Sequence, residues 1–518
     1  MAAASAPLTG KILSGARELS QAQLLERVAR AAAGLAALEI GAEATVAVML
    51  RNDFPFFEAS MAANAVGARA LPLNWHFQAE EAGFILRDSQ AKVLVVHADL
   101  LSQMQAGLPE DLQIFVVPTP PEIQAAYRIA PEQAAPPPAL PVWSDWVRCQ
   151  EPSTLPPLPP PSSLLYTSGT TGTPKGVRRQ PWTAASAAKV AETVALIFGF
   201  RSDREVRTVV TGPMYHAAPN AYGLFAAKTG GVCVLQARFD PEGLLELIER
   251  YRITHLHLVP TMFVRLLKLP EETKRQYDLS SLAHVVHAAA PCPPEVKRQM
   301  IDWWDPVIHE YYGATETGAV VFHTSEEALR KPGTVGRLIP GGRVRIYDDQ
   351  GHALGPNQVG EVYVRLEGLP DFTYHKRDAE RCAIERDGLI TVGDVGYLDE
   401  DGYLFLCDRK VDMVISGGVN IYPAEIEAAL LAMPGVRDCA VFGIPDAEYG
   451  ETLCAYIAPE PGVECSTGEV RAYLAARLAR YKVPKVIEFR RELPREDSGK
   501  IFKRHLRAPY WAHVGRQV

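Results

Sequence analysis

Apolar residues recur at helical spacing across residues 20–38, where Leu24, Val28, Ala31, Leu35 and Leu38 share one face. Ser20 followed by Gln23 is a capping-box pattern that starts this helix. Residues 45–50 and 93–96 are short, continuously apolar runs suited to strands buried on both faces. The alanine-rich stretch between them, residues 56–67, has helical character. Strands alternating with helices predict a parallel sheet covered on both sides.

Proline then becomes dense from Val117 to Pro161, a composition that predicts neither regular helix nor central strand. The expectation is an irregular surface crossing with one short insert around Trp143 and Trp146. The strand–helix rhythm resumes at residues 206–210, 232–235, 255–259 and 284–288, with helices over 244–251 and 294–304. Residues 335–406 change texture to short strands (343–347, 361–365, 403–406) with glycine-rich turns, predicting a small β region. A last unit follows Asp408, with helices over 423–433 and 466–480 and strands over 438–442, 451–458 and 486–489. The expected fold class is α/β: a large N-terminal domain, residues 1–408, of mixed and parallel sheets covered by helices plus the β region. Residues 409–518 form a smaller α+β C-terminal domain of about 110 residues, large enough to fold alone.

The chain's 518 residues exceed what one core supports, and 47% hydrophobic with 22% charged residues describes an ordinary globular protein. A net charge of −8 argues against a general nucleic-acid binder. No run is long enough to span a membrane and no signal peptide opens the chain, whose first ten residues read as a frayed tail. Eight cysteines without a CxxC pair or metal-ligand spacing point to a reducing compartment, the cytoplasm by default.

Chemistry concentrates in five stretches. Residues 166–177, YTSGTTGTPKGV, place four hydroxyls (Thr167, Ser168, Thr170, Thr171) among Gly169, Gly172 and Gly176, with Lys175 near the end. Glycine exposes successive backbone N–H groups and the hydroxyls add donors, so the loop can wrap phosphate oxygens. A plain linker would not follow the apolar Leu164-Leu165-Tyr166 run, and the spacing is not that of a P-loop. Residues 310–318, EYYGATETG, set two aromatics before a hydroxyl and Glu316; an aromatic face can stack on a purine and a carboxylate can hold Mg²⁺. The bland alternative is a strand with a capped turn. In residues 391–397 Asp394 lies near glycines and either caps a turn or accepts the two hydroxyls of a ribose. Residues 408–427 lead through a Gly417-Gly418 hairpin to a helix opened by Pro423, and residues 493–501 carry Lys500 on a turn.

In this order and spacing, the five stretches closely resemble those of the AMP-forming adenylating enzymes: acyl-CoA synthetases, adenylation domains of peptide synthetases, and luciferases. The resemblance covers essentially the whole chain. It implies that a carboxylate attacks the α-phosphate of ATP to give acyl-AMP and pyrophosphate, and that a thiol, usually of coenzyme A, then displaces AMP. Thr167, Ser168, Gly169, Thr170, Thr171, Gly172 and Lys175 would hold the pyrophosphate, and Tyr311, Tyr312 and Gly313 the adenine, with Tyr312 stacking. Ala288, Ala289, Ala290 and Pro291 would lie along adenine and acyl group. Thr315 would contact the α-phosphate, Glu316 would serve Mg²⁺, and Asp394 and Arg409 would bind the ribose. Lys500 would meet the carboxylate and α-phosphate oxygens. One ammonium about 4 Å from the approaching anions supplies roughly 4 kcal/mol at an effective dielectric of about 20. The C-terminal domain is expected to be mobile, rotating about a hinge and presenting Ser416, Gly417 and Gly418 to the pantetheine arm. The pattern departs at Val411, where the family usually places Asp or Lys, so the expected hinge is Lys410–Val411.

His216, in PMYHAAP, resembles a family histidine on the acyl side and reads as a pocket wall or gate, with a catalytic base as the alternative. Tyr215, Asn220, Tyr222, Val259, Met262 and His287 are candidate pocket neighbours, a mixture suiting a lipophilic acid, fatty or aryl-alkanoic. The expected partners are a small carboxylic acid and coenzyme A; the oligomeric state stays open, a homodimer included. The competing reading is a stand-alone adenylating enzyme that passes acyl-AMP to a carrier protein. A non-catalytic binder is disfavoured by the presence of Lys500 and Glu316, and a nicotinamide oxidoreductase by the lack of a G-x-G-x-x-G opening a βα unit.

Overall fold

In the computed structural model the described residues are 10–154, 158, 161, 164–167, 174–200, 205–495, 501 and 503–512. The helix near the N-terminus runs Gln21–Ala37, and Ser20 and Gln23 close the reciprocal capping box the sequence announces. Thr45–Met49 is buried along its whole length, as a continuously apolar strand must be. It pairs in parallel with Arg69–Pro72 on one side and Ala91–His97 on the other, and Gln113–Val117 completes a four-stranded parallel sheet.

The proline-dense region departs from expectation. Pro121–Tyr127 and Pro131–Ala134 are short helices that each begin at proline, where the missing N–H would have had no helical partner anyway. Trp143, on helix Trp143–Arg148, is fully buried rather than a surface insert. It packs edge-on against Phe115, and its indole N–H donates to Glu58 at 2.9 Å.

A second, larger sheet organises the rest of the big unit. Its centre is parallel: Ile308–Ala314, His284–His287, His255–Leu258, Arg207–Val210, Val232–Leu235 and Lys11–Ser14 lie side by side in that order. Beyond Ile308–Ala314 the sheet turns antiparallel and takes in Leu389–Leu398 and Leu404–Arg409, the β region expected from residues 335–406. Because the central strands are parallel, their carboxyl ends open on one edge. Thr211 to His216, Val259, Ala288 to Pro291 and Tyr312 to Ala314 all follow or close those strands. Ligands bind outside such an edge in open α/β sheets.

The C-terminal unit has its own sheet, in which Val436–Asp446 and Gly450–Pro459 pair along nearly their full length. Both strands are longer than predicted, whereas the helix expected over 466–480 ends at Ala475. Leu430, Val441, Ile457 and Leu474 are fully buried in a core separate from that of the large unit. The unit rests on the large one at Lys268, whose ammonium donates to the carbonyl of Arg437 at 2.9 Å and to Glu460 at 2.5 Å.

Candidate active site

Glu316 stands on a three-residue hairpin tip between Ile308–Ala314 and Gly318–His323. Gly318 takes the left-handed conformation (φ +65°) that closes such loops. Thr317 locks the turn, accepting from the Ala314 N–H and donating to the Gly318 carbonyl, both at 2.8 Å. Gly313 cannot be replaced here, because a Cβ would stand 1.9 Å from the Gly318 carbonyl oxygen.

A residue without a motif of its own fixes this tip. Arg179 donates to the carbonyls of Thr315 at 2.6 Å and Glu316 at 2.9 Å, and to Pro370 at 2.9 Å. Burial pushes its guanidinium down to about 10, opposed by Glu316 and Asp371, which leaves it charged at neutral pH. Tyr374 supplies a second hold, its hydroxyl donating to Glu316 Oε1 at 3.0 Å. Arg179 and Tyr374 meet because Phe372–Tyr374 pairs antiparallel with Lys175–Arg179. The same three-stranded sheet sets Thr167 opposite Lys175. Ser168, Gly169, Thr170, Thr171 and Gly172 lie outside the described residues.

Asp394 and Arg409 face each other directly across antiparallel strands. One Asp394 oxygen accepts from the Tyr312 hydroxyl at 2.6 Å, and the other lies 3.4 Å from Arg409 Nε. Burial and the adjacent carboxylate hold the Tyr312 phenol well above its ordinary value, so it remains a donor. Tyr312, Asp394 and Arg409 thus form one connected unit a single hairpin away from Glu316.

Tyr311 does not join them. Alternation along the strand turns it to the opposite face, where its hydroxyl lies 3.1 Å from His257 Nε2. Rings of Phe198 and Tyr222 pack on this pair, their centroids 5.0 Å apart, and Phe200 packs behind them. Burial lowers His257 to about 4, so it is neutral and can accept from Tyr311. The candidate pocket neighbours divide accordingly: Tyr222 belongs to this aromatic face, whereas Val259, Met262 and His287 pack on the other side with Phe263. His216 precedes helix Ala217–Ala226 as its N-cap, its ring 4.3 Å from that of Tyr215. Ala289 adopts φ +75°, a left-handed conformation that strains any residue with a Cβ, directly after the buried Ala288. Ala290 and Pro291 continue this loop and are exposed.

The link to the C-terminal unit is tied to both sides, and Asp408 already accepts from the Ala424 N–H of that unit at 2.9 Å. Lys410 belongs to the large unit, its N–H donating to the Gly393 carbonyl at 2.8 Å and its ammonium to Asp349 and Glu361. Val411 belongs to the small unit, its carbonyl accepting from Arg507 at 2.8 Å. Further on, Gly417 and Gly418 form the two-residue hairpin turn after the paired Ser416, with φ +57° and +80°, and both glycines face solvent.

Lys500 lies outside the described residues; Arg495 and Ile501 form an isolated antiparallel bridge. Arg495 is anchored to Asp438 by two bonds of 2.7 Å. It also lines a cleft of about 260 Å³ with Trp75, Thr211, Pro213 and Met262 of the large unit.

Glu316 is a single carboxylate, and among the described residues no group of three or more His, Cys, Asp or Glu could surround a metal. That donor set fits Mg²⁺, which takes one or two carboxylates and completes its shell with phosphate and water. Among the described residues no helix is long and apolar enough to cross a membrane.

Comparison with known proteins shows the family. Residues 2–369 match the AMP-binding enzyme family and residues 425–500 the AMP-binding enzyme C-terminal domain. A feruloyl-CoA synthase of an Amycolatopsis species is 34% identical over 97% of this chain and 96% of its own. An indoleacetate–CoA ligase of Aromatoleum aromaticum is 32% identical over 95% of this chain and 93% of its own. The structure of o-succinylbenzoate CoA synthetase from Bacillus subtilis with its acyl-adenylate superposes with a TM-score of 0.78 at 27% identity, covering 96% of this chain and 94% of that one.

Proposed function

Because this chain belongs to the AMP-binding enzyme family and is an AMP-forming acid–thiol ligase, we propose that it activates a lipophilic carboxylic acid with ATP and transfers the acyl group to coenzyme A. The observation that carries the reading is the Tyr312–Asp394–Arg409 unit beside the Glu316 hairpin. A ring face, a buried carboxylate and a guanidinium in one line suit an adenosine, with the phosphates directed toward Glu316 and Lys175. A magnesium ion on Glu316 would neutralise part of the polyphosphate charge. Tyr374 and Arg179 keep that carboxylate aimed, and Lys500 supplies the ammonium that draws two anions together.

The domain boundary falls, in this reading, between Lys410 and Val411. Rotation there carries Lys500 away and brings the exposed Gly417-Gly418 turn toward the acyl group, its missing side chains leaving room for a pantetheine arm.

For the acid, this reading favours an aryl-alkanoic acid over a long fatty chain. Two of the relatives above are named for aryl acids, ferulate and indoleacetate. Thioester formation should be followed across aryl-alkanoic and fatty acids, with coenzyme A or an acyl-carrier protein as acceptor. Aryl acids with coenzyme A should give the highest kcat/KM. Preference for long fatty acids would overturn the acid assignment, and turnover with carrier protein alone would overturn the acceptor.

A further inference from the structure

Lys175 already has a partner within the protein. Its ammonium lies 2.6 Å from Glu380 Oε2 and 5.4 Å from the ring centroid of Tyr374, the residue whose hydroxyl holds Glu316. Glu380 sits on helix Asp378–Ala383, and its other oxygen is 3.5 Å from Arg377. The hydrogen bond from Lys175, aided by its charge and that of Arg377, holds the Glu380 carboxyl below its ordinary value despite some burial. The pair is open on one side: the Lys175 side chain is 14% exposed and that of Glu380 40%. Another anion can therefore reach the ammonium without unfolding anything around it.

An ammonium has three donors, but two anions gathered on one ammonium repel each other, so what one gains the other loses. We propose that Glu380 is a positioning residue that competes with phosphate for Lys175. It holds the ammonium at the loop in the absence of polyphosphate, yields it when nucleotide binds, and recaptures it as pyrophosphate departs. This rests on the reading of Lys175 as a phosphate ligand. An ion pair with one partly exposed partner contributes little net stability, so the exchange is cheap in both directions. Glu380 thereby weakens ground-state binding of the polyphosphate and speeds its release, leaving the acid side untouched.

The test is calorimetric titration of inorganic pyrophosphate, and separately of ATP, into wild-type enzyme, Glu380→Gln, Glu380→Asp and Lys175→Ala, with KM and kcat measured in parallel. Glu380→Gln should bind pyrophosphate more tightly, by about 1.5- to 5-fold, the range an exposed pair allows, and lower the KM for ATP without changing the KM for the acid. Glu380→Asp keeps the charge but shortens its reach, so it should show a smaller gain in the same direction. In the Lys175→Ala background Glu380→Gln should have no effect. Unchanged or weaker pyrophosphate binding in Glu380→Gln would overturn the proposal. So would a gain that persists without Lys175, or one absent from Glu380→Asp, since that would be a general charge effect. If Lys175→Ala alone leaves both affinities unchanged, the phosphate-binding reading of Lys175 fails instead.

Discussion

The strand that presents Tyr312 also carries Glu310, the centre of a buried charge cluster to which the motifs assign no role. Glu310 is in contact with Lys297, and its Oε2 lies 3.0 Å from His323 Nε2 and 3.8 Å from His287 Nε2. Lys297 Nζ is also 3.0 Å from His323 Nε2. All four side chains are almost completely buried. Burial acts to raise the Glu310 carboxyl, yet Lys297 and the two histidines outweigh it and hold the group well below the carboxylate range. Glu310→Gln would leave the Lys297 ammonium buried without its counter-charge. Breaking a buried pair from one side costs about 3–5 kcal/mol. A unit of about 400 residues unfolds with an entropy near 0.8 kcal/mol per kelvin, so its melting temperature should fall by about 4–6 °C. Lys297→Met combined with Glu310→Gln removes both charges and should recover most of that loss, because an apolar replacement of a buried pair is often neutral or better. Differential scanning calorimetry on the two single variants and the double variant measures this directly. A double variant that melts as low as the sum of the two single losses would refute the reasoning, since the groups would then be uncoupled.

Three other outcomes follow from the same geometry. Tyr374→Phe removes the hydroxyl that aims Glu316 and should lower kcat/KM for ATP about 10-fold, the effect of losing one hydrogen bond to a charged group, as steady-state kinetics at varied Mg²⁺ would read. Lys500→Ala should slow acyl-AMP formation far more than thioester formation from supplied acyl-AMP, and equal loss of both half-reactions would remove that role. Burial holds His284 and His257 at about 4 and His287 and His309 at about 3, against an ordinary 6.5. Between roughly pH 6.5 and 4 the unfolded chain takes up protons that the folded one refuses, so urea midpoints should fall as pH drops through that window.

The strands and helices of the α/β core were legible because their apolar runs carry their own periodicity. The proline-dense segment was misread because composition says proline stops helices, whereas position lets Pro121 and Pro131 start them. Tyr311 was grouped with Tyr312 by adjacency; the two-residue period of a strand would have separated them. The motifs supplied Asp394, Arg409 and Glu316, but not the contacts that aim them. Arg179, Tyr374 and Glu380 reach the site only through the pairing of Phe372–Tyr374 with Lys175–Arg179, nearly two hundred positions apart in the chain. Such non-local pairing leaves no local mark.

The most direct test of the central claim is release of pyrophosphate from ATP, followed across a panel of carboxylic acids with and without coenzyme A, while AMP and ADP are resolved chromatographically. The structure predicts acid-dependent pyrophosphate release, with AMP rather than ADP as the nucleotide product and one thioester per AMP once coenzyme A is present. Release that ignores the acid, or formation of ADP, would contradict it.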